Sequence, residues 1–145
     1  MSEPEIVDSP TGWVNRHIRR YVESNGEDGH TWRGVPTLLL TTTGRKTGKL
    51  RRTALIYGED DGRYLVVASQ GGAKVHPNWY FNLSANPEVE VQVGPEVFRA
   101  RASTAMADEK PHLWKLMSSI WPAYDDYQER TARDIPVVIL QPVDS

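Results

Sequence analysis

The fifteen residues from Thr41 to Leu55, T-T-T-G-R-K-T-G-K-L-R-R-T-A-L, constrain this chain more than any other stretch. Val35-Pro36-Thr37-Leu38-Leu39-Leu40 leads into them and Ala54-Leu55-Ile56-Tyr57 closes them; both runs are apolar and strand-like. Gly44 and Gly48 punctuate the polar connection, so two strands must be joined by a tight loop. Five of the 17 Lys and Arg residues, namely Arg45, Lys46, Lys49, Arg51 and Arg52, sit in that loop and at its exit. From Gly29 through Gly58 there is no Asp or Glu. Cations this close repel one another unless an anion lies among them. The hydroxyls of Thr43 and Thr47 and the amides beside the glycines add neutral donors, which completes the chemistry of a phosphate cradle. The same residues also suit a solvated strand edge whose charge discourages pairing with other chains. Residue chemistry alone leaves both readings open. A Walker loop is excluded, because Lys49 is followed by Leu50 and the glycines are too close together.

Composition narrows the partner. The chain has 145 residues, enough for one domain with a real core. Its net charge of −2 argues against a nucleic-acid partner, which would select a basic protein. Positive charge is local here, which favours a small anionic ligand. With no cysteine, disulfides, thiolate metal sites and Cys nucleophiles are all excluded. No apolar run is long enough to span a bilayer and no secretory signal is visible, so the expected location is cytoplasmic.

The expected organisation is a mobile N-terminus over 1–10, a helix and loop over 11–34, and a single β-rich domain over 35–143. In the helix, from Thr11 to Tyr21, Trp13, Val14, Ile18, Tyr21 and the following Val22 lie near one face, with Arg16, Arg19 and Arg20 elsewhere. Such a helix either packs on its own domain or rests on an anionic membrane surface. Strands are expected at 37–43, 52–57, 63–69, 89–93, 97–102 and 136–140. Asp61-Gly62 and Gly94-Pro95 are hairpin turns. Helices are expected at 76–83, with Pro77 in its first turn, at 108–119, capped by Asp108, and at 123–133. Consecutive hairpins predict an α+β, mainly β fold, an antiparallel sheet of about six strands curling into a barrel with flanking helices. No G-x-G-x-x-G fingerprint is present, so a nicotinamide site of the Rossmann kind is not expected.

Few residues offer covalent chemistry. His17, His30, His76 and His112 form no metal-ligand spacing and lie near no carboxylate cluster in sequence. Glu59-Asp60-Asp61 reads as a solvated turn. Ser69 precedes Gln70-Gly71-Gly72 without the context of a hydrolase nucleophile, so it is a pocket donor or an ordinary loop serine. Trp79, Tyr80 and Phe81 are consecutive and cannot share one helix face. Tyr124 and Tyr127 share a face and are either a pocket lid or surface packing.

Thr43-Gly44-Arg45-Lys46-Thr47-Gly48-Lys49-Leu50-Arg51 resembles the T-G-R-x-S/T-G-x-x-R loop of the deazaflavin-dependent nitroreductase family. The likeness continues through Ser69-Gln70-Gly71-Gly72, His76-Pro77-Asn78-Trp79-Tyr80-Phe81-Asn82-Leu83, Asn86-Pro87 and Trp121-Pro122-Ala123-Tyr124-Asp125-Asp126-Tyr127-Gln128. These pieces come in order over Val35 to Val143. The resemblance implies a split β-barrel that binds coenzyme F420, a deazaflavin with a phosphate and a polyglutamate tail. It places Arg45, Lys46, Thr47 and Arg51 on the phosphate and runs Arg52, Thr53, Ala54, Leu55 and Ile56 along the cofactor. Val67, Ala68, Ser69 and Gln70, with Asn78, Trp79, Tyr80, Phe81 and Asn82, would line the deazaflavin and its linker. Tyr124, with Ser69 near it, would stand at the reacting face, and Trp121 and Tyr127 would form the substrate lid. Ala54-Leu55 replaces the Pro-Leu usual in the family. Trp121 replaces a tyrosine of some relatives, so no one relative's substrate preference is carried over.

The implied activity is transfer of hydride from reduced F420 to a quinone, nitroaromatic or similar acceptor, with no metal. Two alternatives share the fold: an FMN-binding oxidoreductase and a non-catalytic carrier of F420 or a lipid-like ligand.

Overall fold

A computed structural model describes residues 6–9 and 12–143. Strand β1 (Ile6–Asp8) leads to helix α1 (Gly12–Glu23) and the short strand β2 (Thr31–Trp32). Strands β3 (Val35–Thr43) and β4 (Leu50–Ile56) flank the basic loop, and β5 (Gly58–Asp60) and β6 (Arg63–Val67) follow. A 3₁₀ turn over Gln70–Gly72 precedes α2 (Asn78–Ala85), which leads to β7 (Glu88–Val93) and β8 (Glu96–Thr104). Helices α3 (Lys110–Ile120) and α4 (Ala123–Glu129) precede β9 (Val137–Pro142).

The strands form one curled, mainly antiparallel sheet in the order β1-β4-β3-β7-β8-β9-β6-β5, with β2 beside β3. The basic loop closes a true hairpin, with Thr43 opposite Leu50 and Thr37 opposite Ile56. Val93 faces Glu96 across the Gly94-Pro95 turn. Asp61-Gly62 also turns a hairpin, and both residues have positive φ, as the Asp-Gly turn requires. That hairpin joins β5 to β6, however, and β6 then pairs with β9. The expected succession of neighbouring hairpins therefore breaks between β4 and β6. The sheet curls until these two strands approach without pairing, and the result is a split barrel with an open seam.

Strand alternation explains why the central runs look uniformly apolar. Val66, Val138 and Leu140 point into the barrel with Leu38, Leu40 and Val91. Their neighbours Leu65, Val67, Val137 and Ile139 point outward onto Leu113 and Met117 of α3 and Tyr124 of α4. Strand β3 is likewise covered twice, since Leu39 packs beneath Ile18 and Tyr21 of α1. Strands buried on both faces lose the polar half of the usual alternation. The Tyr21 hydroxyl also takes a 2.6 Å bond from the Gly94 amide and donates to the Thr37 carbonyl at 3.1 Å. Helix α1 is thereby tied to β3 and to the turn between β7 and β8.

Several expectations are corrected. Within the expected mobile segment, Ile6–Asp8 form β1, which runs parallel to β4 with Asp8 opposite Arg52. Apart from Ser9, the remainder of that segment lies outside the described residues. Asp108 does not cap α3, whose N-cap is Glu109, and the Glu109 carboxylate meets Arg63 at 2.9 Å instead of an amide. The acidic turn is not merely solvated, because Asp60 pairs with Arg63 at 2.9 Å and stands 3.5 Å from His112. Asp60 and Arg63 are only three residues apart, whereas Glu109 is brought to Arg63 across 46 positions of sequence.

Candidate functional site

A cavity of about 860 Å³ lies along the seam between β4 and β6. One wall is Arg51 through Ile56, and the facing wall is Val67, Ser69, Gln70 and Gly71. The basic loop closes one end and α4 the other.

The loop is built from its own backbone and from a buried asparagine. Gly44 donates its amide to the Lys49 carbonyl at 2.7 Å, and Gly48 donates to Gly44 at 2.8 Å. Asn82, only 5% exposed, accepts from both the Arg45 amide, at 3.2 Å, and the Arg45 guanidinium, at 3.0 Å. Its own amide donates to Thr42 at 3.3 Å. Arg45 is further steadied over the Phe81 ring at 5.0 Å. Thr47 spends one lone pair on the Lys49 amide at 3.2 Å.

One charge is already neutralised. Arg52 meets Asp8 through both ends of the carboxylate, at 2.6 and 3.2 Å. The sequence around the loop showed no carboxylate, yet β1 delivers one from 44 positions away. Lys46, Lys49 and Arg51 make no ion pair among the described residues, and all three are exposed. Lys46 and Arg51 line the cavity and Lys49 does not. Asp8 is the one carboxylate on the wall among the described residues.

The other end is aromatic. Tyr124 is 5% exposed, and it meets Tyr127 edge-on at 6.1 Å between ring centres. Burial pushes the Tyr124 phenol well above its ordinary value, so it stays protonated across the working pH range. Its hydroxyl bonds no other described residue, and both tyrosines line the cavity with Trp121. Trp121 packs on Trp32 at 5.4 Å, and Trp32 stacks on Trp13 at 5.6 Å and 17°. Trp79 and Asn78 of α2 line the floor.

Most residues singled out from the sequence converge on this cavity: Arg45, Lys46, Thr47, Arg51, Arg52, Thr53, Ala54, Leu55, Ile56, Val67, Ser69, Gln70, Asn78, Trp79, Asn82, Trp121, Tyr124 and Tyr127. Three do not reach its wall. Ala68 is fully buried, and Tyr80 packs against the barrel core and bonds Thr104 at 2.8 Å. Phe81 stands behind the loop beneath Arg45. The cavity also gathers Asp8, Val14, His17, Trp32 and Thr37. His17 stands 3.3 Å from the Thr37 hydroxyl. The apolar face of α1 was a signal for Val14; nothing in the sequence pointed to Asp8.

Comparison with known proteins agrees with this architecture. An F420H(2)-dependent quinone reductase of Mycobacterium tuberculosis is 41% identical over 141 residues, spanning 88% of this chain and 95% of that protein. A solved structure described as an F420-H2 dependent reductase is 46% identical, with a TM-score of 0.68, and covers 73% of this chain and 94% of its own. Another, described as a domain-swapped dimer, is 43% identical, with a TM-score of 0.71, and covers 92% of this chain and all of its own. Residues 13–142 match the family described as F420H(2)-dependent quinone reductase, and the chain belongs to that family.

Proposed function

We propose that this chain binds F420 along the seam and reduces a quinone at its aromatic end. The observation that carries the reading is the polarity of the cavity: Lys46 and Arg51, without an ion-pair partner among the described residues, at one end, and phenol and indole at the other. Residue chemistry fits the cofactor. Arg45, Lys46 and Arg51 suit a phosphate with a glutamyl tail, and Thr47 retains a hydroxyl proton to donate. Ala54, Leu55, Ile56 and Val67 offer an apolar lining to a flat ring and exclude water from it. When bound, reduced F420 supplies the hydride.

Quinone reduction also needs a proton, and the buried Tyr124 phenol would hold one at its oxygen. Ser69, 8% exposed on the facing wall, is the second hydroxyl available. Trp121 and Tyr127 cover the acceptor side. Fluorescence titration with F420 and, separately, with FMN tests the assignment. Saturable F420 binding with quinone-dependent turnover is expected, whereas preference for FMN, or tight F420 binding without turnover on quinone and nitroaromatic acceptors, would refute it.

Peripheral contact with a membrane is a separate reading. Among the described residues, no helix is long and apolar enough to cross a bilayer. Trp13 is 53% exposed, and Arg16, Arg19 and Arg20 on the same helix are open to solvent. Co-sedimentation with anionic vesicles that is lost in Trp13→Ala supports contact, and no sedimentation refutes it.

A further inference from the structure

Behind the cavity wall, Arg133 makes an unusual set of bonds. Its Nε donates to the Ala73 carbonyl at 2.8 Å, and its Nη2 to the Ser69 carbonyl at 2.7 Å. Nη1 donates to the Ala68 carbonyl at 3.2 Å and meets Nδ1 of His76 at 2.9 Å. No carboxylate pairs with this guanidinium among the described residues. A fork of rigid donors thus gathers backbone carbonyls from both sides of the 3₁₀ turn.

That turn is one that the chain would not adopt unaided. Gln70, Gly71 and Gly72 all have positive φ, at 46, 64 and 82°, and a glutamine there is disfavoured by its own Cβ. A Cβ on Gly72 would meet the Tyr127 carbonyl oxygen at 2.7 Å, so the turn lies directly on α4. Gln128 of α4 donates to the Arg133 carbonyl at 2.7 Å and accepts from the Ile135 amide at 3.0 Å. One end of Arg133 is therefore fixed to the helix of Tyr124 and the other to the wall of Ser69.

We propose that Arg133 is a positioning residue for the reaction: with His76 it sets the distance between the Ser69–Gly71 wall and the Tyr124 end of the cavity. The inference rests on the F420 reading above. It predicts sensitivity to fork geometry beyond sensitivity to charge. It also predicts an acid limit. His76 accepts at Nδ1 only while that nitrogen carries no proton. Protonation there would set two cations against each other, and the groups around the ring, Tyr80 and Phe81 of α2, offer no negative charge to relieve them. Burial first and Arg133 second hold His76 below its ordinary 6.5, so the clamp is intact at neutral pH and fails on acidification below that value.

The test compares Arg133→Lys, Arg133→Ala and His76→Asn with the wild-type chain. Melting temperature, F420 affinity, and kcat and KM for a short-chain quinone are measured across pH. Arg133→Lys keeps the charge and should lose about 10²-fold in kcat/KM, the effect of roughly 1 Å of misplacement. F420 affinity should fall less, because the cationic end is untouched. Free guanidinium ion should partly restore Arg133→Ala. His76→Asn retains an acceptor and should keep neutral-pH activity while losing the acid limb of the wild-type profile.

Wild-type kcat and KM in the folded Arg133 variants would overturn the proposal. If those variants do not fold, an acid limb identical in His76→Asn and wild type would overturn it. Failure of the wild-type protein to bind F420 would instead sink the functional reading on which the proposal stands.

Discussion

Lys46 and Arg51 should carry a measurable share of cofactor affinity, and their double replacement by Ala gives the sharpest number. Both line the cavity, neither has an acidic partner among the described residues, and both are exposed without ligand. A hydrogen bond to a charged group contributes about 1.5 to 3 kcal/mol, and exposure argues for the lower figure. Two contacts then amount to about 3 kcal/mol, or roughly a 150-fold weaker F420 affinity at low ionic strength. Salt should erode the wild-type affinity, because the Debye length shrinks from about 30 Å at 0.01 M to about 10 Å at 0.1 M. The double variant should show a flatter salt response. Lys49 is in the same loop but off the cavity wall, so Lys49→Ala should change affinity less than about twofold at 0.1 M salt. Fluorescence titration of F420 at three salt concentrations measures all of this. Equal losses from Lys49 and from the pair would show that diffuse charge, not contact, holds the ligand, and an unchanged double variant would refute the site.

Tyr124→Phe should lower kcat by about 10² or more, the usual share of a general acid, with F420 affinity retained; stopped-flow oxidation of the reduced cofactor reads it. Gly72→Ala should cost about 2 kcal/mol or more of stability, since it adds a 2.7 Å approach to Tyr127 to a φ of +82°; urea unfolding measures it. Asp60 gives a pH signature. The Arg63 hydrogen bond is the first cause of its lowered pKa, so its contribution is present above the ordinary 3.8 and drains away as pH falls through the lower folded value. Acid unfolding of Asp60→Asn should accordingly show a shallower loss than the wild type in that window.

The basic hairpin was legible because everything that defines it is local: two apolar runs, two glycines and the cations between them. The helix of Tyr124 and Tyr127 was legible for the same reason, since i and i+3 fix a shared face whatever packs against it. Strand pairing was less so. Asp61-Gly62 marks a turn but does not say which strands it joins, and the register of β6 against β9 depends on residues 70 positions apart or more. The seam that makes room for the cavity follows from that non-local choice. Asp8 was illegible, because a carboxylate in an acidic N-terminal stretch looks the same whether it meets water or Arg52. Arg133 was missed because three of its four partners are carbonyls, which every residue has, and the fourth, His76, is 57 positions away.

The bond between Asp8 and Arg52 makes strand β1 a component of the candidate site. Lifting Ile6–Asp8 off β4 would raise the charge of the cavity wall by one, and cleaving ahead of Ser9 would remove the same carboxylate and also leave a new ammonium on a residue that lines the cavity. Preparations with ragged starts would then be mixtures of proteins with different pull on an anion, although every residue of the basic loop was unchanged.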